Sequence, residues 1–244
     1  MTLEDRVILV TGGAKRLGKA IALTLARRGA HLVITYRSSS REAKDTVRAI
    51  ERAGVRALAV RADVARASDV TRLIAIIQRR FGRLDVLVNS AAIFPRTPFA
   101  QLTEQAWDAA LDTNLKGPFL CALAASRLMQ DTRGGKIINL ADWAGARPYR
   151  DYLPYCVSKA GVIGLTRALA KELAPRIQVM AIAPGPILPP PTMREGARRR
   201  IARRVPLKRW GAPQDIANTV CFLIEGTDFM TGSTVFVDGG QLIA

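Results

Sequence analysis

The chain predicts an α/β fold, one domain with its strands gathered into a single buried parallel sheet, and three observations carry that prediction. Short apolar, β-branched runs alternate with amphipathic helical stretches along the whole sequence, the pattern of successive βαβ units. The 244 residues suffice for one large core, and no linker rich in Pro, Gly or Ser and no charge block divides them. A glycine-rich turn follows the first apolar run directly and opens a helix.

Each element has its own signal. The first strand is expected at residues 7–10, Val-Ile-Leu-Val, apolar on both faces as a central parallel strand must be. A helical run from Ala20 to Leu25 follows. Further strands are expected at residues 31–35, 56–60, 86–89, 136–140, 178–182 and 234–237, with helices between them. No internal repeat is present. Residues 1–6 carry two acids and run straight into the first strand, unlike a secretory signal, and no apolar stretch is long enough to span a bilayer. Cys121, Cys156 and Cys221 are few, odd in number and widely spaced, which argues against a disulfide framework or a zinc site and for a reducing cytoplasm. The lone His31 opens a strand with no metal-type partner and reads as structural.

The formal charge is +17 and the pI about 10.9. Arginine dominates the excess, most densely at Arg194, Arg198, Arg199, Arg200, Arg203 and Arg204, after Pro189-Pro190-Pro191 and before Pro206. Three readings fit this patch: a solvated helix face, a nucleic-acid site, and a lid over an acidic ligand. The solvated face is favoured over nucleic acid. Residues 186–206 as a whole are expected to cover the substrate.

The turn after the first strand reads Thr11-Gly12-Gly13-Ala14-Lys15-Arg16-Leu17-Gly18. Glycines let backbone approach a pyrophosphate, whose charge the helix N-terminus favours, so Gly12, Lys15, Arg16, Leu17 and Gly18 are candidate cofactor contacts. Arg16 stands where the usual fingerprint has its middle glycine. At the end of the second strand the sequence is Thr35-Tyr36-Arg37-Ser38-Ser39, with no acid to hold a free ribose 2′-hydroxyl. Arg37 offers a charge-assisted fork to a 2′-phosphate and Ser38 a hydroxyl, so NADPH is expected over NADH. Tyr155 and Lys159, four apart on an expected helix, share one face, and an ammonium beside a phenol is expected to lower the phenol's pKa.

At this point the chain resembles the short-chain dehydrogenase/reductase family almost end to end. The resemblance rests on the Thr11 to Gly18 loop, Ala62-Asp63-Val64, Asn89-Ser90-Ala91-Ala92, Asn114, Tyr155 with Lys159, Pro184-Gly185, and the closing Thr231-Gly232 and Val237-Asp238-Gly239-Gly240. It implies a Rossmann-type doubly wound sheet of about seven strands over residues 1–244, with cofactor at the carboxyl ends of the strands. It further implies Asp63 and Val64 at the adenine, Asn89 and Ala91 on the nicotinamide side, Pro184 and Gly185 shaping the nicotinamide pocket, Asn114 holding a water in the proton path, and a homotetramer. An aspartate, Asp142, stands thirteen residues before Tyr155, where the family usually carries serine. With Arg16 in the loop and Phe94 soon after Asn89-Ser90-Ala91-Ala92, this combination resembles pteridine and dihydromonapterin reductases. That resemblance implies Asp142, Tyr155 and Lys159 as the acid/base set and Arg16, Phe94, Asp142 and Tyr155 around a pterin. An ionised Asp142 repels a carbonyl oxygen that gains charge, whereas it accepts from the N–H groups of a pterin. The alternatives are a 3-oxoacyl or small-carbonyl reductase and a non-catalytic dinucleotide-binding scaffold. Trp143, Tyr152 and Trp210 are candidate pocket walls, but aromatics in such places more often pack on the scaffold, and they are left out of the expected site.

Overall fold

The computed structural model describes residues 1–130, 134–190 and 192–244. Seven strands form one sheet, β1 (Val7–Val10), β2 (His31–Tyr36), β3 (Ala57–Arg61), β4 (Val86–Asn89), β5 (Gly135–Leu140), β6 (Ile177–Pro184) and β7 (Thr234–Val237). All pairings are parallel, in the order β3-β2-β1-β4-β5-β6-β7. The expected doubly wound sheet is therefore what forms. The order reverses between β1 and β4, the place where such sheets open a crevice at their carboxyl ends. Observed strands run slightly beyond the apolar runs where a neighbour continues the ladder; β6 reaches Pro184 because β7 pairs alongside it, Pro184 opposite Val237.

Strand β1 shows why the central strands are apolar throughout. Ile8 and Val10 enter the core on one side of the sheet, with α1 (Arg16–Ala26) and α8 (Pro213–Glu225). Val7 and Leu9 enter the other, with α3 (Ala67–Phe81) and α5 (Gly117–Gln130). The edge helix α2 (Ser40–Glu51) buries Ile50 against the first of these cores. Two polar anchors tie the layers together. Lys136, 2 % exposed at the start of β5, donates to the carbonyls of Leu223, Ile224 and Thr227 at the end of α8 and pairs with Asp228 at 2.8 Å. A cation there answers both the orphan carbonyls and the negative end of the helix dipole. His31 Nδ1 accepts from the Arg56 N–H at 3.1 Å beside Phe81, a structural role as expected.

Between β4 and β5 the chain forms α4 (Glu104–Leu111), a π-helical turn at Asp112–Lys116, and α5. The long α6 (Leu153–Leu173) starts with Pro154 in its first turn, where a missing N–H costs nothing. Helix α7 (Glu195–Arg204) lies in the segment expected to cover the substrate; Pro191 of that segment falls outside the described residues. Among the described residues no helix is long and apolar enough to cross a membrane.

Candidate active site

A cavity of about 820 Å³ opens at the carboxyl ends of the strands, at the switch between β1 and β4. One end is walled by Gly12, Lys15, Arg16, Leu17 and Gly18, by Arg37 and Ser38, and by Asp63 and Val64. The β1–α1 turn approaches this closely because Gly12 has φ +66° and a Cβ on it would lie 2.9 Å from the Ala91 Cα. Thr11 Oγ1 accepts from the N–H groups of Ser90 and Ala91, and Thr35 Oγ1 from that of Gly12, pinning the loop to both neighbouring strands. A Cβ on Gly18 would press on the Gly12 carbonyl, so only glycine lets helix α1 start here. Arg16 takes φ +52°, a left-handed conformation unfavourable for a side-chain residue by about 1–2 kcal/mol. Its Nη2 donates to the Leu188 carbonyl at 3.2 Å, so the guanidinium spans from the loop to the covering segment. Asp63 Oδ1 accepts from the Ala65 N–H at 3.1 Å, the local turn before α3, while also facing the cavity.

At the other end Asp142, Tyr155 and Lys159 meet Pro184, Gly185 and an aromatic wall. Asp142 caps the short 3-10 turn Trp143–Gly145, its Oδ1 accepting from the Ala144 N–H at 2.8 Å. That turn aims the second oxygen at Tyr155, whose O–H donates to Oδ2 at 2.7 Å. Lys159, 4 % exposed one turn along α6, donates to the Leu140 carbonyl at 2.6 Å, with its Nζ 5.7 Å from the Tyr155 ring centre. Loss of solvent raises the Asp142 pKa, against the Ala144 and Tyr155 hydrogen bonds and the charge of Lys159. Burial brings Lys159 down to about 8, opposed by the Asp142 charge. Burial, then the Asp142 charge, push Tyr155 well above the usual phenol range. The expected lowering of that phenol by Lys159 is thus reversed, because the loss of solvent, and after it the charge of the carboxylate in direct contact, favour the neutral phenol. Tyr155 is held as a proton donor.

Phe94 stacks on Tyr152 at 4.4 Å between ring centres, nearly parallel, and meets Tyr155 edge-on at 4.5 Å. Tyr149 bridges to Trp143 at 5.5 Å. Trp143, Tyr152 and Trp210, left out of the site expected from sequence, therefore wall the cavity, and Tyr149 joins them unannounced. No local pattern marks these aromatics; they converge because the loops after β4 and β5 pair at the bridge between Thr97 and Tyr152.

Two expected site residues lie behind the wall. Asn89 donates to the Asn139 Oδ1 at 2.9 Å and to the Pro118 carbonyl, tying β4 to β5, while Ala91 two residues on faces the cavity. Asn114, in the π-helical turn, accepts from the Ile93 N–H at 2.9 Å and donates to the Ile93 carbonyl and to Ser158 Oγ. Both ends of its amide are engaged with protein, and it clamps the segment that carries Phe94. Among the described residues no cluster of His, Cys, Asp or Glu is arranged to hold a metal.

A loop that only glycine can close, with Arg37 and no acid in the residues that end β2, fits a phosphorylated dinucleotide. The comparisons agree with the fold. The family profile described as "Enoyl-(Acyl carrier protein) reductase" matches residues 12–241, and the chain belongs to the short-chain dehydrogenase/reductase family. Among curated relatives, the 3-oxoacyl-[acyl-carrier-protein] reductase of Synechocystis is 42% identical over 246 residues, covering 99% of this chain and 98% of its own. FabG of Staphylococcus epidermidis, with the same activity in its name, is 40% identical over 241 residues, covering 97% and 99%. A solved short-chain alcohol dehydrogenase from Sinorhizobium meliloti superimposes with TM-score 0.94 at 36% identity, covering 100% of this chain and 98% of that one. A blue fluorescent protein from a metagenomic library, solved with NADPH, gives 0.92 at 33%, covering 99% of each. The chain is an oxidoreductase of this family. The names of the curated relatives fit carbonyl reduction, the alternative drawn from the sequence, better than they fit pterin reduction.

Proposed function

We propose that this protein is an NADPH-dependent reductase of a pterin, taking a dihydropterin to the tetrahydro form. The carrying observation is the 2.7 Å hydrogen bond from Tyr155 to Asp142 in the position the family gives to serine. NADPH, when bound along the cavity, supplies the hydride. Arg37 and Ser38 hold its 2′-phosphate, the Gly12 to Gly18 turn its pyrophosphate, Asp63 and Val64 its adenine, and Ala91, Pro184 and Gly185 the space for its nicotinamide. Lys159 orients the ribose beside that ring. Tyr155 gives its phenolic proton to the ring nitrogen as the adjacent carbon of the C=N bond is reduced. Asp142 accepts a hydrogen bond from the pterin's N–H donors and, with its pKa raised, returns a proton to Tyr155 from solvent. Phe94 and the neighbouring tyrosines cover the flat ring. Arg16 contacts cofactor phosphate and reaches the substrate.

Carbonyl reduction is the second reading, favoured by the names of the relatives. Both readings share the NADPH site and differ at Asp142, since an ionised carboxylate opposes a developing alkoxide. The deciding experiment assays purified protein with NADPH against dihydrobiopterin and an acetoacetyl thioester. Turnover of the pterin, lost in Asp142→Ser, supports the first reading; turnover of the thioester alone rejects it. A protein that oxidises NADPH with neither, yet binds it, is the non-catalytic scaffold. We further propose a homotetramer built partly on α6, whose Leu153 and Val157 are exposed apolar residues, as are Phe119 and Leu123 of α5; light scattering of the intact protein tests it.

A further inference from the structure

The arginine cluster of the sequence folds as α7, a helix with no buried residue, so packing does not account for its composition. Gly196, Arg199, Arg200, Arg203 and Arg204 follow helical spacings of three and four and line one hollow of about 480 Å³. Among the described residues, the acid paired with these four arginines is Glu195, on Arg199 at 3.1 Å. Arg200, Arg203 and Arg204 have no acidic partner there. Like charges one turn apart oppose helix formation by about 0.2–0.5 kcal/mol per pair, and the helix dipole offsets this only for the last two. A solvated face explains exposure, but it does not explain why the arginines without an acidic partner gather on the side of the helix that reaches the cavity. Arg204 also walls the catalytic cavity, so the hollow begins where the cavity mouth ends. Trp210 Nε1 donates to the Arg198 carbonyl at 3.0 Å, fixing α7 to the loop behind it.

We infer that the α7 hollow is a subsite for the anionic tail of the substrate, a tail with two or more negative charges as carboxylates or a phosphate. The inference deepens the proposed reductase reading and rests on it for the group to which the tail is attached. Guanidinium forks pair with either anion through two parallel charge-assisted hydrogen bonds. The placement favours a tail over a polyanion, because Arg204 belongs both to this face and to the wall of the catalytic cavity, so an anion here continues from a molecule bound inside.

Calorimetry on the intact protein with benzoylglutamate, phenyl phosphate and uncharged benzamide tests this, alongside the double variant Arg200→Ala/Arg203→Ala. At least one dianion is expected to bind, and benzamide is not. The double variant is expected to weaken that binding about tenfold or more, equivalent to about 1.4 kcal/mol. Lysine at both positions should recover part of the loss. The two dianions separate a carboxylate tail from a phosphate one. In turnover, the double variant should raise KM for a substrate with the preferred tail while leaving kcat, and both constants for a tail-free substrate, unchanged. Absence of dianion binding, or binding that the double variant does not alter, overturns the inference. So does salt-dependent binding of an RNA hairpin, lost in the double variant, when neither small dianion binds. Dianion binding in a protein that turns over no pterin supports the subsite while rejecting the pterin reading.

Discussion

At the scale of single residues, one exchange decides which chemistry the site favours. A serine beside Tyr155 would donate to a substrate oxygen; Asp142 instead accepts a hydrogen bond from the Tyr155 O–H, and its charge, with burial, keeps the phenol protonated. Asp142→Ser is expected to lower kcat/KM for dihydrobiopterin by about a hundredfold, the usual scale of a lost acid/base group. The same variant should hold or raise turnover of the thioester, and steady-state kinetics on both substrates checks the pair. Lys159 gives a second prediction. Burial lowers its pKa to about 8, so free enzyme loses the ammonium as pH rises through that value. The kcat/KM profile should therefore fall on its alkaline side near pH 8. For stability the sign is opposite: between pH 8 and the unfolded lysine value of about 10.4, the unfolded chain binds more protons, so this group's contribution rises with pH. NMR titration of isotope-labelled lysine assigns the group. The Asp142→Asn variant should move the titration lower, because the Asp142 charge holds it up.

Whole elements place these residues, and their ends carry the specificity. The turn into α1 needs glycine at position 18, since a Cβ would push the helix off the Gly12 backbone. Gly18→Ala is expected to cost roughly 2 kcal/mol or more through that clash, with a matching loss of NADPH affinity, read by urea unfolding and fluorescence titration. The carboxyl end of β2 bears Arg37 in a stretch, residues 35–39, that has no acid, and Arg37→Asp should shift cofactor choice toward NADH by at least about tenfold in the ratio of kcat/KM values. The π-helical turn at Asp112–Lys116 belongs to this scale too, because it turns Asn114 inward to fasten Ile93. Its role is visible only as a set of contacts between two loops. The sequence supplied the residue; its amide partners follow from how α4, α5 and α6 pack.

Across the whole molecule, the sheet is held to its helices by two apolar faces and a few buried polar ties. Lys136 sits near the amino end of β5, whereas the site lies at the carboxyl ends of the strands. Lys136→Met keeps the apolar stem but leaves three carbonyls at the end of α8 without their donor, and should cost roughly 2–4 kcal/mol in urea unfolding. NADPH affinity of the folded fraction should be unchanged. The strand runs, the glycine turn after β1 and the spacing of Asp142, Tyr155 and Lys159 were legible in the amino-acid order because periodicity, turn sterics and helical pitch are local. The acid-free end of β2 was legible for the same reason. What the order of residues could not contain is convergence: Phe94 comes from the loop after β4, Tyr149 and Tyr152 from the loop after β5, and Arg204 reaches the cavity mouth from a helix built elsewhere. The direction of the Tyr155 shift belongs to that second kind. It depends on a distance between two side chains and on the solvent both have lost, and such quantities exist only once the chain has folded.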